Sequence, residues 1–425
     1  MPNRLTQPIK LKRPSMPARK RPAAVTETPA QLEDKPATGG RLSQPVKLRR
    51  PSMSGVSMPS MAGVRRGSGS SRRTAQALVG LDIEPSGIVA VQVRVNGGVA
   101  VERAAGIPLP PDVVRDGEVT DVPTLTSALG QLFETSGMSN RVRIGVANQR
   151  IVVRRLELPP ISDPKELATA VRFQAQDEIP MPLDSVIMDF HSVGVIDTPN
   201  GPRQQIVLVA ARRDMVERVL DAARTAGLRP EGVDLSAFAM IRALAPARAA
   251  GSERVLYLAI GGLTNLAVAD GQTCQFTRVI GGGVDQIVAD VAERCAVPLP
   301  EARRLVAGSS PVGRGGDPSG DAEAPPRDHQ AIAQTALAEG IHRIAAEVRN
   351  SLDFHTGQEA GAGVARAVLC GPALDIAGFD TALSAELGMP VEAGLVSQVT
   401  ADAAGSVPAS RLTIAAGLAI EEGAS

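Results

Sequence analysis

Two stretches of the chain begin with the same pattern of apolar and polar positions. Residues 77–95 hold an apolar run, a turn at Glu84-Pro85-Ser86-Gly87, and a run that alternates between apolar and polar side chains. This pattern predicts a buried strand, a tight turn and a second strand. Residues 255–269 repeat it around Gly261-Gly262-Leu263, and residues 274–280 add a third strand after the hairpin signal Asp270-Gly271.

Other segments show the three- and four-residue spacing that is typical of helices. Helices are predicted at residues 122–136, 213–226, 331–355 and 413–421. Ser162 is predicted to cap a further helix that ends near Asp177. Residues 141–147 and 151–158 are predicted to pair as a hairpin. The mixture of strands and helices indicates an α/β protein.

The composition excludes several kinds of chemistry. Of the six lysines only Lys165 lies after residue 75, and no glycine run precedes it, so a P-loop nucleotide site is excluded. The three cysteines and four histidines do not have the spacing of a metal site. No apolar run approaches the roughly 18 residues of a membrane-spanning helix, and no apolar signal segment opens the chain. The sequence therefore predicts a cytoplasmic protein.

Residues 1–75 have the composition of a disordered basic tail. They hold ten prolines, no aromatic residue, and 16 basic against three acidic side chains, although the whole chain has zero net charge. Residues 4–16 recur as residues 41–53, with ten identities and only Thr/Ser, Ile/Val and Lys/Arg exchanges. This duplicated motif predicts contact with an anionic lipid surface or an acidic partner; the alternative is a recent duplication in a solvated linker. With no Trp and one Tyr there is no base-stacking platform, and no nucleic-acid partner is expected.

The glycine turns resemble those of the actin/Hsp70/sugar-kinase superfamily. One strand–turn–strand unit begins at Gly80 and a second begins at Leu258. A third glycine turn, at Gly371, comes directly after a predicted strand. Two such hairpins can offer backbone N–H groups to a polyphosphate from both sides. The resemblance implies a duplicated actin-like fold. Its expected parts are a first half at 76–110 and 186–250, a small inserted subdomain at 111–185, and a second half at 251–424 with a flexible loop at 308–327.

Longer motifs resemble the PilM family of actin-like type IV pilus assembly proteins, which is related to FtsA. The resemblance covers residues 76–424 and rests on several segments: Ile151-Val-Val-Arg-Arg-Leu-Glu-Leu-Pro-Pro160, the run from Lys165 to Pro182, Ala210-Ala-Arg-Arg-Asp214, the run from Gly227 to Ala239, and Val348-Arg-Asn-Ser-Leu-Asp-Phe354. It implies a scaffold at the inner face of the cell membrane. Its partners would be the N-terminal peptide of a bitopic PilN-like protein and other components of the inner-membrane platform. The candidates for residues that flank the peptide groove are Arg154, Arg155 and Glu157. The alternative is that these residues belong to a solvated strand face.

The superfamily resemblance also implies a nucleotide site, from which this sequence departs. The candidate nucleotide-binding residues are Asp82, Gly87, Gly261, Gly262, Thr264 and Gly371. Asp82 would hold a magnesium-bound water, or else cap the turn after its strand. Glu84 and Pro85 stand in the first phosphate turn, Ala259 replaces the carboxylate of the second strand, and Pro372 replaces a glycine of the adenosine loop. We therefore expect binding of ATP and magnesium, and ATP hydrolysis, to be weak or absent.

Two other functions remain open at this point. One is an active actin-fold ATPase or kinase, which would need a carboxylate where Ala259 stands. The other is an FtsA-like cell-division protein, although residues 417–425 lack a basic amphipathic face.

Overall fold

The structure, a computed structural model, describes residues 77–95, 98–245, 253–311, 327–358, 363–396, 398–399 and 405–421. The tail predicted at residues 1–75 and most of the predicted loop at 308–327 lie outside the described residues. The strands are β1 (Val79–Glu84), β2 (Gly87–Val95), β3 (Val99–Pro108), β4 (Val114–Arg115), β5 (Glu118–Val119), β6 (Arg141–Val146), β7 (Val152–Leu158), β8 (Val186–Thr198), β9 (Gly201–Arg212), β10 (Arg229–Leu235), β11 (Arg254–Ile260), β12 (Thr264–Asp270), β13 (Thr273–Ile280), β14 (Arg366–Cys370), β15 (Val391–Ala393) and β16 (Gln398–Val399). The helices are α1 (Val122–Ser136), α2 (Pro164–Glu178), α3 (Arg213–Thr225), α4 (Ser236–Leu244), α5 (Val284–Cys295), α6 (Leu299–Ala307), α7 (Arg327–Gln358), α8 (Phe379–Leu387) and α9 (Thr413–Ala419).

Two large sheets have the same internal order. The first runs β10-β6-β1-β2-β3-β16 and the second runs β13-β12-β11-β14-β15. In each, three consecutive strands pair antiparallel, a later strand pairs in parallel with the first of them, and a further strand pairs in parallel with that later strand. This repeated order confirms the duplication that the two similar strand–turn–strand units predict.

Helices α4 and α9 pack in the apolar core beside both sheets. Met240 of α4 and Leu418 of α9 belong to one buried cluster with Tyr257 of β11. Helix α9 also lies against β1, where a Cβ on Gly80 would be only 1.8 Å from the carbonyl oxygen of Ala415. Only glycine permits this approach, so α9 is fixed against the first sheet.

The sheet pairing corrects the expected domain boundaries. Strand β6 lies inside residues 111–185, yet it pairs with β1 and β10 in the first large sheet. The predicted hairpin at residues 141–158 is therefore wrong, since β6 and β7 belong to different sheets. A separate three-stranded sheet, β7-β9-β8, extends from Val152 to Arg212 and includes the start of the segment expected in the first half at 186–250. Likewise β16 and α9, expected in the second half, return to the first sheet.

One helix covers one face of the small sheet. Helix α2 buries Leu167, Val171 and Ala175 against Leu156 and Leu208 of the sheet. Its N-cap is Asp163, not Ser162 as predicted, and the Asp163 carboxylate accepts hydrogen bonds from two backbone N–H groups of the first turn. We call this unit, residues 152–212, the small subdomain.

Candidate functional site

The turns of the two large hairpins are in contact with each other. The β1–β2 turn carries Glu84 and Pro85, and the β11–β12 turn carries Gly261 and Gly262. A Cβ on Gly261 would lie 2.4 Å from Oε1 of Glu84, and a Cβ on Gly262 would lie 2.7 Å from Cδ of Pro85. The side chains of the first turn thus lie directly on the backbone of the second.

Several donors of the second turn are bonded within the protein. The Gly261 N–H donates to the Leu263 carbonyl at 3.0 Å, and the Asp285 N–H at the start of α5 donates to the Gly261 carbonyl at 3.4 Å. The buried Thr264 hydroxyl donates to the Gly282 carbonyl at 3.0 Å. These contacts join the β11–β12 turn to the Gly281–Gly283 segment. A phosphate group at this turn could use these three donors only after their bonds within the protein break.

Carboxyl groups crowd the cleft beneath the two turns. Asp82, Glu84 and Ala259 line both of its cavities, which measure about 50 and about 20 Å³ and so have room for only a few water molecules. Burial raises the pKa of Glu84 from 4.5 to about 8, and the Asp82 and Asp285 carboxylates add to the rise. Burial likewise raises the pKa of Asp82 from 3.8 to about 7. The Asp82 and Glu84 side chains are only partly buried and keep some contact with solvent through the cleft.

Two arginines partly compensate the negative charge of these carboxyl groups. Arg411, just before α9, lowers the pKa of both Asp82 and Glu84. Arg303 of α6 lowers the pKa of Glu84 and contacts the Asp285 carboxylate at 3.0 Å. Sequence reasoning missed Asp285, Arg303 and Arg411 as part of this site. Only Asp285, two residues after a run of three glycines at a helix start, offered a local signal.

The third glycine turn closes the other side of the cleft. Gly371 follows β14 with φ +89°, and its N–H donates to the Ser410 carbonyl at 3.0 Å. A Cβ there would lie 3.1 Å from the Ile260 carbonyl oxygen. Gly87 lines the same cavity as Gly371. Of the six predicted nucleotide-binding residues, Asp82, Gly87 and Gly371 line the cleft, and Gly261 and Gly262 lie against the first turn. Thr264 is fully buried beside Gly282 and lines neither cavity.

The small subdomain has a second face that α2 does not cover. Because side chains alternate along a strand, Val153, Val207 and Val209 point away from the buried Leu156, Ile206 and Leu208. Val153 lies opposite Val209, and Val207 lies between Arg155 and His191 in the strand register. The three valines are only half-buried. We call this surface, formed by Val153, Val207 and Val209, the valine face.

The predicted groove residues divide between the two faces of the small sheet. Arg155 and Glu157 share the strand parity of Val153 and so lie on the valine face, whereas Arg154 lies on the opposite face, 4.0 Å from Glu178 of α2. Arg155 donates to the Cys274 carbonyl at 3.4 Å and bonds to the Gln275 side chain. It thereby connects the small subdomain to β13 at the edge of the second large sheet.

Within the described residues, no group of three or more Cys, His, Asp or Glu side chains could hold a metal ion. Nor does any described helix have the length and apolar character needed to cross a bilayer.

The duplicated sheets and the cleft between their hairpins define a protein of the actin-like class. The family model of the type IV pilus assembly protein PilM matches residues 80–305, more than half of the chain. The chain therefore belongs to the PilM family.

Solved structures are similar in fold. A PilM-PilN type IV pilus biogenesis complex is 23% identical with a TM-score of 0.66, and the match covers 81% of this chain and 97% of that chain. The ethanolamine utilization protein EutJ from Carboxydothermus hydrogenoformans is 16% identical with a TM-score of 0.46, covering 80% of this chain and 88% of that one. MreB5 of Spiroplasma citri bound to ADP is 12% identical with a TM-score of 0.45, covering 81% and 95%.

Proposed function

We propose that this protein is a scaffold of type IV pilus assembly that binds the N-terminal segment of a PilN-like membrane protein. Its membership of the PilM family supports the assignment to the machine. The similar solved structure is a PilM-PilN complex, which supports the choice of partner. The observation that carries the proposal is the valine face, an apolar strip flanked by charged groups.

The valine face suits an extended peptide. Its apolar centre is about as wide as two strands, with Val153 and Val209 in one row and Val207 in the next. Arg155 and His191 flank Val207, and Asp189 lies beside Val209. A short segment with apolar side chains and a few polar groups would bury Val207 and Val209 and meet the charges at the rim. It would end beside Val153, which shares a small cavity with Thr277 of β13. Because the peptide must become ordered, we expect an affinity of roughly micromolar strength.

Calorimetry with the N-terminal peptide of the PilN-like protein encoded beside this chain tests the proposal. Val207→Glu places a charge in the centre of the valine face and is expected to weaken binding at least about tenfold. Val195→Glu is the matched control, since Val195 is 57% exposed and lies in the same sheet, level with Leu158 at the end of β7. Equal affinity for the wild type and Val207→Glu would contradict the proposal, as would equal losses in both variants.

ATP hydrolysis by this scaffold is expected to be close to background. Ala259 lies at the cleft without a carboxylate that could hold a metal or a water, and the N–H of Gly261 is bonded within the protein. The alternative function, an active actin-fold ATPase, would have the same fold but would need a carboxylate where Ala259 stands. Steady-state phosphate release at about one turnover per second, within the usual range of enzymes, would establish the alternative.

The basic tail is proposed to attach the protein to the inner face of the cell membrane. Each repeat carries a basic group, Lys10-Leu-Lys-Arg13 in the first and Lys47-Leu-Arg-Arg50 in the second. Each nearby basic residue contributes about 1 kcal/mol at an anionic surface, and two linked repeats reinforce each other. Sedimentation with vesicles containing phosphatidylglycerol should recover the full chain at low salt and residues 76–425 much less. Equal recovery of the two would favour an acidic protein partner for the tail.

A further inference from the structure

We propose that the Glu84-Pro85 turn is a built-in wedge that takes the position of a bound phosphate group and holds the two hairpins together without any ligand. This goes beyond a loss of hydrolysis, because it assigns a structural role to the residues that block the cleft. It is independent of peptide binding at the valine face.

The first argument is steric. The Glu84 carboxyl oxygens lie 2.4 and 2.8 Å from the position of a Cβ on Gly261, and two ring carbons of Pro85 lie 2.7 and 2.8 Å from that of Gly262. The Pro85 ring requires glycine at position 262, and a side chain at position 261 would displace the flexible Glu84 carboxyl group. The two consecutive glycines are therefore used for close packing against the first turn rather than for approach to a ligand.

The second argument concerns the donors that a phosphate would use. Gly261 and Thr264 each donate to a carbonyl of the protein, and the N–H of Asp285, in the first turn of α5, does the same. Such bonds fix the second turn and the start of α5 in one arrangement. A ligand would have to break them before it could bind, so the closed cleft is stable by itself.

The third argument is the chemistry of the wedge. The Glu84 carboxyl faces the carboxylates of Asp82 and Asp285, the guanidinium groups of Arg303 and Arg411, and the Cys370 thiol at the base of the cleft. The two arginines balance part of the acidic charge, and a protonated carboxyl adds none. A neutral wedge can thus remain beside two other acids, whereas a phosphate group would bring further negative charge.

The test compares the full chain with two variants. In Glu84→Gly/Pro85→Gly the wedge is absent, and we expect a lower Tm that Mg·ADP or inorganic pyrophosphate raises by at least about 2 °C. Glu84→Gln keeps the shape of the wedge, so it should resemble the wild type, whose Tm neither compound changes. An increase in the wild-type Tm with either compound would overturn the proposal. So would a double variant with the wild-type Tm and no response.

A second measurement decides the matter if the double variant does not fold. In the ligand-free wild type, the amides of Gly261 and Asp285 should exchange hydrogen slowly, as in closed structure. Rapid exchange of these two amides, which slows on addition of Mg·ADP, would show that a ligand and not the wedge closes the cleft.

Discussion

Raising the pH is expected to destabilise the fold through Glu84, and Glu84→Gln is expected to remove much of this effect. In the unfolded chain this carboxyl titrates near 4.5, whereas burial and two nearby carboxylates raise its pKa to about 8 in the folded protein. The folded state therefore keeps the proton longer than the unfolded state. The stability that this group contributes is fully present below pH 4.5 and is lost as the pH rises to about 8.

The size of the effect follows from the pKa difference. One pKa unit corresponds to about 1.4 kcal/mol, which sets a ceiling of about 5 kcal/mol for Glu84. Water that enters the cleft screens part of this, so we expect about 2 to 3 kcal/mol between pH 5 and pH 8. Asp82, whose pKa rises from 3.8 to about 7, adds to the same trend in the lower part of this range.

Urea unfolding at pH 5, 6, 7 and 8 measures the effect. The free energy of unfolding of the wild type should fall steadily over this range, and Glu84→Gln should lose about half of that dependence. Glu134→Gln, an exposed glutamate on α1, should behave as the wild type. If Glu84→Gln lost stability as steeply with pH as the wild type does, the assignment of a buried proton to Glu84 would be refuted.

Three further predictions concern the fold around the cleft. Thr264→Val removes the hydroxyl that bonds to Gly282 and should lower the free energy of unfolding by about 1 to 3 kcal/mol, whereas Thr264→Ser should lower it less. Urea denaturation compares the two variants. Equal losses of stability would contradict the role of this hydrogen bond. Gly417→Ala places a Cβ 1.8 Å from the Ala239 carbonyl oxygen and should lower the Tm strongly, whereas Gly130→Ala on α1 has no atom within 4 Å and should be neutral or stabilising. Deleting residues 1–75 should leave the Tm within a few degrees, and a large fall would show that the tail supports the folded part.

Local patterns were enough to predict the strand–turn–strand units and most helices. Helix α1 was predicted with the bounds that the structure gives it, and the glycine turns at Gly261 and Gly371 lie where the duplicated pattern placed them. The cap of α2 could also have been predicted. Pro164 is favoured at the first helical position, which makes Asp163 the cap in place of Ser162.

The pairing of strands that lie far apart in the sequence could not be predicted from local patterns. Strand β6 enters the first sheet beside β1, more than 50 residues earlier in the chain, and nothing in its own sequence distinguishes this partner from β7. Arg411 reaches the cleft only because α9 packs against Gly80. The wedge itself was visible in the sequence as an acidic residue and a proline in a phosphate turn, but its contact with Gly261 and Gly262 required the structure.

Hydrogen–deuterium exchange of the full chain, with and without the N-terminal peptide of the PilN-like partner, tests the central claim most directly. Binding at the valine face should slow exchange in β7 and β9, around Val153 and Val207, and should leave the amides of residues 259–264 unchanged. Protection confined to the two hairpin turns, or no protection anywhere at a saturating peptide concentration, would contradict the account.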